Sequence, residues 1–212
     1  MGFGLPTPLL LLAIGGLAAT SFRSSRGIEA GDVAGATYCL KVACYCSDRQ
    51  DDSLYARLGS IASGAETSSE IGLQNLVSDA SLAMLRSSKD WLAGCTASET
   101  AGILSNDVEK AFNTYVVQER AKWEREQRTL TRSAPGQPTY MVATLVVLLR
   151  DGRPLPPVSG ASDLRDAIQQ LAADVSVEDN LLGAELLWTP EDANDIMDRD
   201  DMFLNFPELV TI

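Results

Sequence analysis

The sequence predicts an α+β protein: an N-terminal transmembrane helix, then a helical bundle packed on a small sheet built from a β-α-β unit. Three observations carry this expectation. No charged side chain occurs from Met1 to Phe22, apolar residues recur at helical spacing between Leu54 and Trp123, and two strand-like runs, Tyr140 to Leu149 and Asn180 to Trp188, flank a short helical pattern. With 45% hydrophobic and 22% charged residues in 212, the chain has the composition of a folded globular protein.

The apolar N-terminal segment centres on Leu9 to Ala19. A helix needs about 20 residues to cross about 30 Å of hydrocarbon, and this stretch reaches that length. Pro6 and Pro8 fall in or before its first turn, where a missing N–H costs little. Gly15, Gly16 and Ala19 are small enough for close approach by another membrane helix, which makes them candidate interface residues. A cleaved signal peptide carries its positive residues before the apolar run, whereas Arg23 and Arg26 follow it here. The expected organisation is therefore an anchor over 1–23, a linker over 24–32 and a soluble α+β domain over 33–212. The two arginines place that domain on the cytoplasmic or stromal side.

Seventeen basic against 29 acidic residues give a net charge of -12. Nucleic-acid affinity comes largely from Lys and Arg neutralising phosphates, so nucleic acid is not an expected partner. Anionic headgroups repel such a domain too, and attachment to a membrane has to come from the inserted segment.

Along the domain, Ala34 to Ser47 mixes small and apolar residues with Lys41 as its one charge and reads as a helix, with Cys39 and Cys46 on one face. Leu54, Leu58 and Ile61 mark a second helix up to Gly64. Thr67 to Glu70 offers capping oxygens for a third, carrying Ile71, Leu73, Leu76, Val77, Ala80, Leu82, Met84 and Leu85 and ending near Ser87-Ser88. Ser105 or Asn106 opens a long helix to about Arg132, with Val108, Phe112, Tyr115, Val116 and Trp123 as its apolar stripe. Pro135 to Pro138 then breaks the helical pattern. Tyr140 to Leu149 reads as a strand buried on both faces, Asp163 or Ser162 as the cap of a helix carrying Leu164, Ala167, Ile168 and Leu171, and Asn180 to Trp188 as a second strand. Strand, helix, strand permits a right-handed parallel crossover. Ala193 to Phe206 reads as a last short helix.

Histidine is absent, which removes the commonest general base and the Ser-His-Asp and Cys-His arrangements. The four cysteines, Cys39, Cys44, Cys46 and Cys95, lack the paired spacing of a thiolate zinc site and read as buried small residues. Glu191, Asp192, Asp195, Asp198, Asp200 and Asp201 lack the glycine and terminal glutamate of an EF-hand loop. No Gly-rich phosphate loop or nucleophile elbow is present. Cys95, in an expected Gly94-Cys95-Thr96 turn, is the one candidate nucleophile and would need a depressed pKa. Neither cofactor nor catalysis is expected. The charge-dense stretch Glu119, Arg120, Lys122, Glu124, Arg125, Glu126 and Arg128 reads as a salt-bridged helix face, with Glu119 and Arg120 as candidate partner contacts. Trp188 is expected to pack a strand end against a helix and is the remaining interface candidate. Arg86 is expected to pair with Glu119 or a backbone carbonyl.

Several stretches occur together in an order that carries a resemblance: Leu85-Arg86 and Trp91, then Glu119-Arg120 with Lys122, Tyr140 to Leu145, Ala184-Glu185-Leu186-Leu187-Trp188-Thr189-Pro190, and Phe206-Pro207-Glu208-Leu209. From about residue 70 to 212 the chain resembles a membrane-anchored domain-of-unknown-function family of cyanobacteria and plastids, the one that includes the chloroplast fluctuating-light acclimation protein. That resemblance implies one membrane span with a stromal domain at the thylakoid. It further implies photosynthetic membrane-complex subunits as partners: the chain would be a non-catalytic accessory subunit of a photosystem complex, or a mobile regulator of photoprotective quenching. It brings no catalytic residues with it.

Overall fold

A computed structural model describes residues 35–50, 52–101, 107–126, 131–132 and 136–212. The anchor, with Gly15, Gly16 and Ala19, and the linker lie outside the described residues. Among those residues no helix is long and apolar enough to cross a membrane.

The protein is a mixed α+β structure built on one antiparallel sheet. Its strands are β1 (Gly35–Cys46), β2 (Trp91–Ala101), β4 (Thr139–Leu149), β5 (Leu181–Thr189) and the short β7 (Val210–Thr211). They lie in the order β5-β4-β1-β2-β7. A separate two-stranded ribbon joins β3 (Thr131–Arg132) to β6 (Asp195–Ile196). The helices α1 (Leu54–Gly64), α2 (Glu70–Arg86) and α4 (Ala161–Val175) cover one face of the sheet; α3 (Asp107–Glu126) and α5 (Arg199–Asn205) cover the other.

Alternation along β1 allocates its side chains. Tyr38, Leu40, Val42, Cys44 and Cys46 enter the large core beneath α1, α2 and α4, while Cys39 and Ala43 face α3 and α5. The expected helix over 34–47 is thus a strand, and Cys39 and Cys46 lie on opposite faces of the sheet. A central strand buried on both sides reads as unbroken apolar sequence, and period alone does not separate that from a buried helix. The unassigned stretch after Ser88 is β2, led in by a single 3-10 turn, Ser88–Asp90. Its Gly-Cys-Thr-Ala-Ser-Glu-Thr-Ala composition has little of the β-branched and aromatic bulk that marks strands. Cys95 accordingly sits in a strand and not in a turn.

The expected parallel crossover is also corrected. β4 and β5 run antiparallel from Val142↔Thr189 to Leu149↔Leu181, with α4 closing the connection over the sheet. Antiparallel neighbours need no crossover, and the helix between them packs on α2 through Leu164, Ala167, Ile168 and Leu171. The long helix, described from Asp107 to Glu126, does not extend to Arg132, since Thr131–Arg132 is strand, and the expected helix over 193–206 resolves into β6 and α5. The expected caps at Ser105 and Asn106 fall outside the described residues. Gly160, not Asp163 or Ser162, caps α4; the Asp163 carboxylate instead accepts from the Ser159 N–H at 2.9 Å. Ser69 caps α2 as expected, accepting from Gly72 N–H at 3.1 Å.

One core contact fixes the loop after β4. The buried Tyr38 hydroxyl reaches Arg153 O at 2.7 Å and Asp174 Oδ2 at 2.9 Å, and a Cβ on Gly152 would lie 2.3 Å from that hydroxyl and 2.9 Å from the Ala36 Cβ. Overpacking of this kind costs typically about 1–3 kcal/mol. Gly152→Ala should lower the thermal midpoint measurably by near-UV circular dichroism, while alanine at Gly59 inside α1 should not, since nothing lies within 4 Å of a Cβ there and alanine is the better helix former.

Candidate functional site

The charged side chains that the sequence scatters over β1, α3, β5 and the turn before β7 converge between the sheet and α3. Antiparallel register puts Lys41 of β1 opposite Cys95 of β2 and Thr144 of β4, and Thr144 opposite Leu187 of β5, in one row across the face. Lys41 is only 5% exposed. An ammonium in that position needs compensation, because desolvation of a lone charge is costly. Its Nζ lies 3.0 Å from Glu119 Oε1 and 2.9 Å from Glu208 Oε1, and donates to Cys39 Sγ at 3.6 Å.

α3 delivers Glu119 by helical spacing. Val108, Phe112 and Glu119 share the face turned to the sheet, where Val108 and Phe112 pack on Cys39, Val146, Leu148 and Leu182. Lys122, one turn on, bridges the same two carboxylates: its Nζ is 3.1 Å from Glu119 Oε1 and pairs with Glu208 Oε1, and it stands 5.2 Å above the Phe206 ring. Arg120 reaches β5, donating from Nε at 2.8 Å and Nη2 at 2.6 Å to Glu185 Oε1. Glu185 is fully buried, and its Oε2 has no hydrogen-bond partner.

These six charges balance: Lys41 and Lys122 against Glu119 and Glu208, and Arg120 against Glu185. Burial pulls the Lys41 pKa down. Cys39, Glu119, Cys95 and Glu208 more than reverse that, so it stands well above the ordinary lysine value. At neutral pH the two carboxylates carry this effect, because the thiols are themselves neutral. Burial pushes Cys39 up to about 11 and Cys95 to about 12. Burial raises Glu185 above the usual carboxylate range against the opposing Arg120, while hydrogen bonds from Lys122 and the charge of Lys41 outweigh burial and lower Glu208.

Chemically the cluster is a lock. A protonated amine and neutral thiols are poor nucleophiles, and the cations hold α3 and the chain end at Glu208 on the sheet. Cys95 in the folded protein should therefore resist iodoacetamide at neutral pH and react after denaturation, as peptide mass spectrometry would show; rapid modification in the native state would contradict its raised pKa.

Of the expected site residues, Glu119 is buried in this lock and not on a solvated face, and Arg120 is half-buried against Glu185. Trp188 is buried in the core cluster under the helices, as a strand end packed on helices should be, and a crevice of about 10 Å³ beside it also touches Glu119, Thr144 and Thr189. Arg86 does not meet Glu119. It lies across the sheet at the end of α2, lining a surface groove of about 520 Å³ with Asp52, Arg57 and Asp79. The sequence reading missed Lys41, Glu185 and Glu208. Two carried a usable signal, for Lys41 is the one charge in Ala34 to Ser47 and Glu185 the one charge in Leu181 to Thr189. The acidic stretch after Pro190 is held through its backbone: the Arg49 guanidinium donates to Asp192 O at 2.8 Å and to Asp195 O, and the Asp198 carboxylate caps α5.

The fold and cluster thus define a class: a mixed α+β domain on a five-stranded antiparallel sheet, whose covering helix is pinned by buried ion pairs. The chain belongs to the family described as a protein of unknown function, DUF1517, whose model matches residues 38–212. It is 28% identical over 160 residues to fluctuating-light-acclimation protein 1, chloroplastic, of Arabidopsis thaliana, covering 70% of this chain and 40% of that protein. It is 27% identical over 175 residues to protein FLAP1 homolog A of Synechocystis, covering 74% of this chain and 51% of that one. The chain therefore spans about half or less of these relatives' own lengths. No solved structure matches it.

Proposed function

We propose that this protein is a non-catalytic accessory subunit of a photosynthetic complex of the thylakoid membrane, its domain facing the stroma, and that it works in acclimation to changing light. The observation that carries this reading is the kinship with two proteins of photosynthetic organisms, one of them named for fluctuating-light acclimation and for the chloroplast. The chemistry of the cluster supports the non-catalytic part of this reading, since its charges are spent on one another and its thiols are neutral. The apolar segment 1–23 supplies the membrane attachment, and Arg23 and Arg26 set the orientation.

A second reading, a mobile regulator that engages its target only when light changes, is favoured by the same relative's name. Response to fluctuation calls for reversible contact. Mass-spectrometric identification of what comigrates with the chain in native gels of gently solubilised membranes separates the two. A fixed ratio to one photosystem supports the subunit, and migration alone or in several bands that shift with light supports the regulator. Comigration with a complex unrelated to photosynthesis overturns both.

A further inference from the structure

The two edges of the sheet are finished differently. β5 is buried along its whole length, whereas β2 pairs with β7 only at Ala93 and Gly94. From Cys95 to Ala101 the outer side of β2 meets no strand among the described residues, although its inner side is paired with β1 throughout. Hydrogen-bonding direction alternates along a strand, and Ile212 N–H donating to Leu92 O at 3.0 Å fixes the phase. Leu92 and Gly94 point toward β7, so Thr96, Ser98 and Thr100 turn their backbone N–H and C=O groups outward. Two of the side chains are accounted for elsewhere: Thr96 Oγ1 donates to Pro156 O at 2.8 Å, and Ser98 Oγ accepts from Leu155 N–H at 3.0 Å. Proline, lysine and a bulge, three of the devices that blunt an exposed edge, are absent from Cys95 to Ala101, where Glu99 is the one charge; the bulge of this ladder lies at Ala43/Cys44, before it.

We propose that the Cys95–Ala101 edge is an interaction surface for a second copy of this chain, paired antiparallel with Ser98 opposite its counterpart. An antiparallel strand pairs with itself about a two-fold axis, so one patch supplies both halves of the interface. With Ser98 on the axis, Thr96 falls opposite Thr100 of the second copy, and every outward peptide group of the three residues gains a partner. The same register sets Glu99, the one charged residue of the stretch, opposite Ala97, so like charges do not face each other. Threonine and serine pairs are favourable across antiparallel strands, and the alanines leave room on the α3 side. The two five-stranded sheets become one continuous sheet. This surface is separate from the cluster at Lys41 and goes beyond the function proposed above.

The charge of -12 opposes approach of two copies, so added salt should strengthen the pairing by screening it. A basic partner captured at the same edge would be released by salt instead. The test uses the full chain in mild detergent, by sedimentation at low and high salt, with Thr100→Pro as the blocking variant. Proline there removes an outward N–H that bonds no backbone group among the described residues. The expected result is a dimer that salt favours and that Thr100→Pro converts to monomer. Ser98→Cys in a Cys95→Ser background should also give a disulfide-linked dimer under mild oxidant, because residues opposed in a hydrogen-bonded pair have Cα atoms about 5.5 Å apart. Cysteine at the exposed Leu82 of α2 should not. A monomer at both salt concentrations, a dimer that survives Thr100→Pro, or cross-linking at Leu82 and not at Ser98 overturns the proposal. The cross-link decides the matter even if Thr100→Pro fails to fold.

Discussion

Lys41→Met is expected to lower the stability of the folded domain by about 3–5 kcal/mol, the usual cost of removing one partner from a buried ion pair. The variant keeps the length of the side chain but leaves Glu119, 6% exposed, and Glu208 to share Lys122 alone. Excess negative charge under α3 is then relieved only by hydration or proton uptake. In a domain of this size the change corresponds to a thermal midpoint lower by roughly 6–20 °C. The double variant Lys41→Met with Glu119→Met restores much of the loss, since replacing both members of a buried pair by apolar groups is often neutral. A double variant as unstable as the single one would show that Lys41 matters for packing and not for charge. The alkaline limb carries an independent sign. The Lys41 pKa is raised above its ordinary 10.5, so its stabilisation is fully present below that pH and is lost as pH rises through the folded-state value. Wild type should lose stability steeply above 10.5, and Lys41→Met should do so less.

That prediction was partly legible in the sequence, and the reasons differ by residue. Helical elements with clear amphipathic spacing and a capping serine, α1 and α2, are where the periodicity puts them, because one face of each is wet and the pattern survives. β1 and β2 are not, for opposite reasons. β1 is buried on both faces and has no alternation to read, while β2 is so rich in small residues that its strand character comes from its neighbours and not from its own propensity. Losing β1 to a helix also hid the site: Lys41, misplaced on a helix, could not be seen to share a row with Thr144 and Cys95. Glu119 was visible as part of a charged helix, but its spacing from Val108 and Phe112 places it on the apolar stripe. A charge on such a stripe announces a buried partner. What no local pattern could supply is Glu208, which reaches the cluster only because the chain returns to the sheet edge at β7. The stretches that carry the family resemblance, around Glu119, Glu185 and Glu208, are distant in sequence and meet in this one layer.

The second large effect is expected at the other ion pair. Arg120→Met leaves the Glu185 carboxylate fully buried with neither oxygen bonded to a cation, and the cost at neutral pH is again about 3–5 kcal/mol. Its pH dependence has the opposite sense to an ordinary surface carboxylate. Burial already raises Glu185 above its ordinary 4.5, so the folded state holds the proton longer than the unfolded chain does. Stability from this group is therefore greatest at low pH and falls as pH rises through the interval between the two values. Removing Arg120 widens that interval upward. The variant should consequently be closer to wild type at mildly acidic pH than at pH 8, as urea midpoints across that range would show. Adding Glu185→Gln to Arg120→Met should recover stability at pH 8 and flatten the profile, because the amide carries no charge into the sheet. A loss that is equal at all pH values and unmoved by the second substitution would mean that Arg120 acts through its aliphatic stem on β5 and not as the counterion of Glu185.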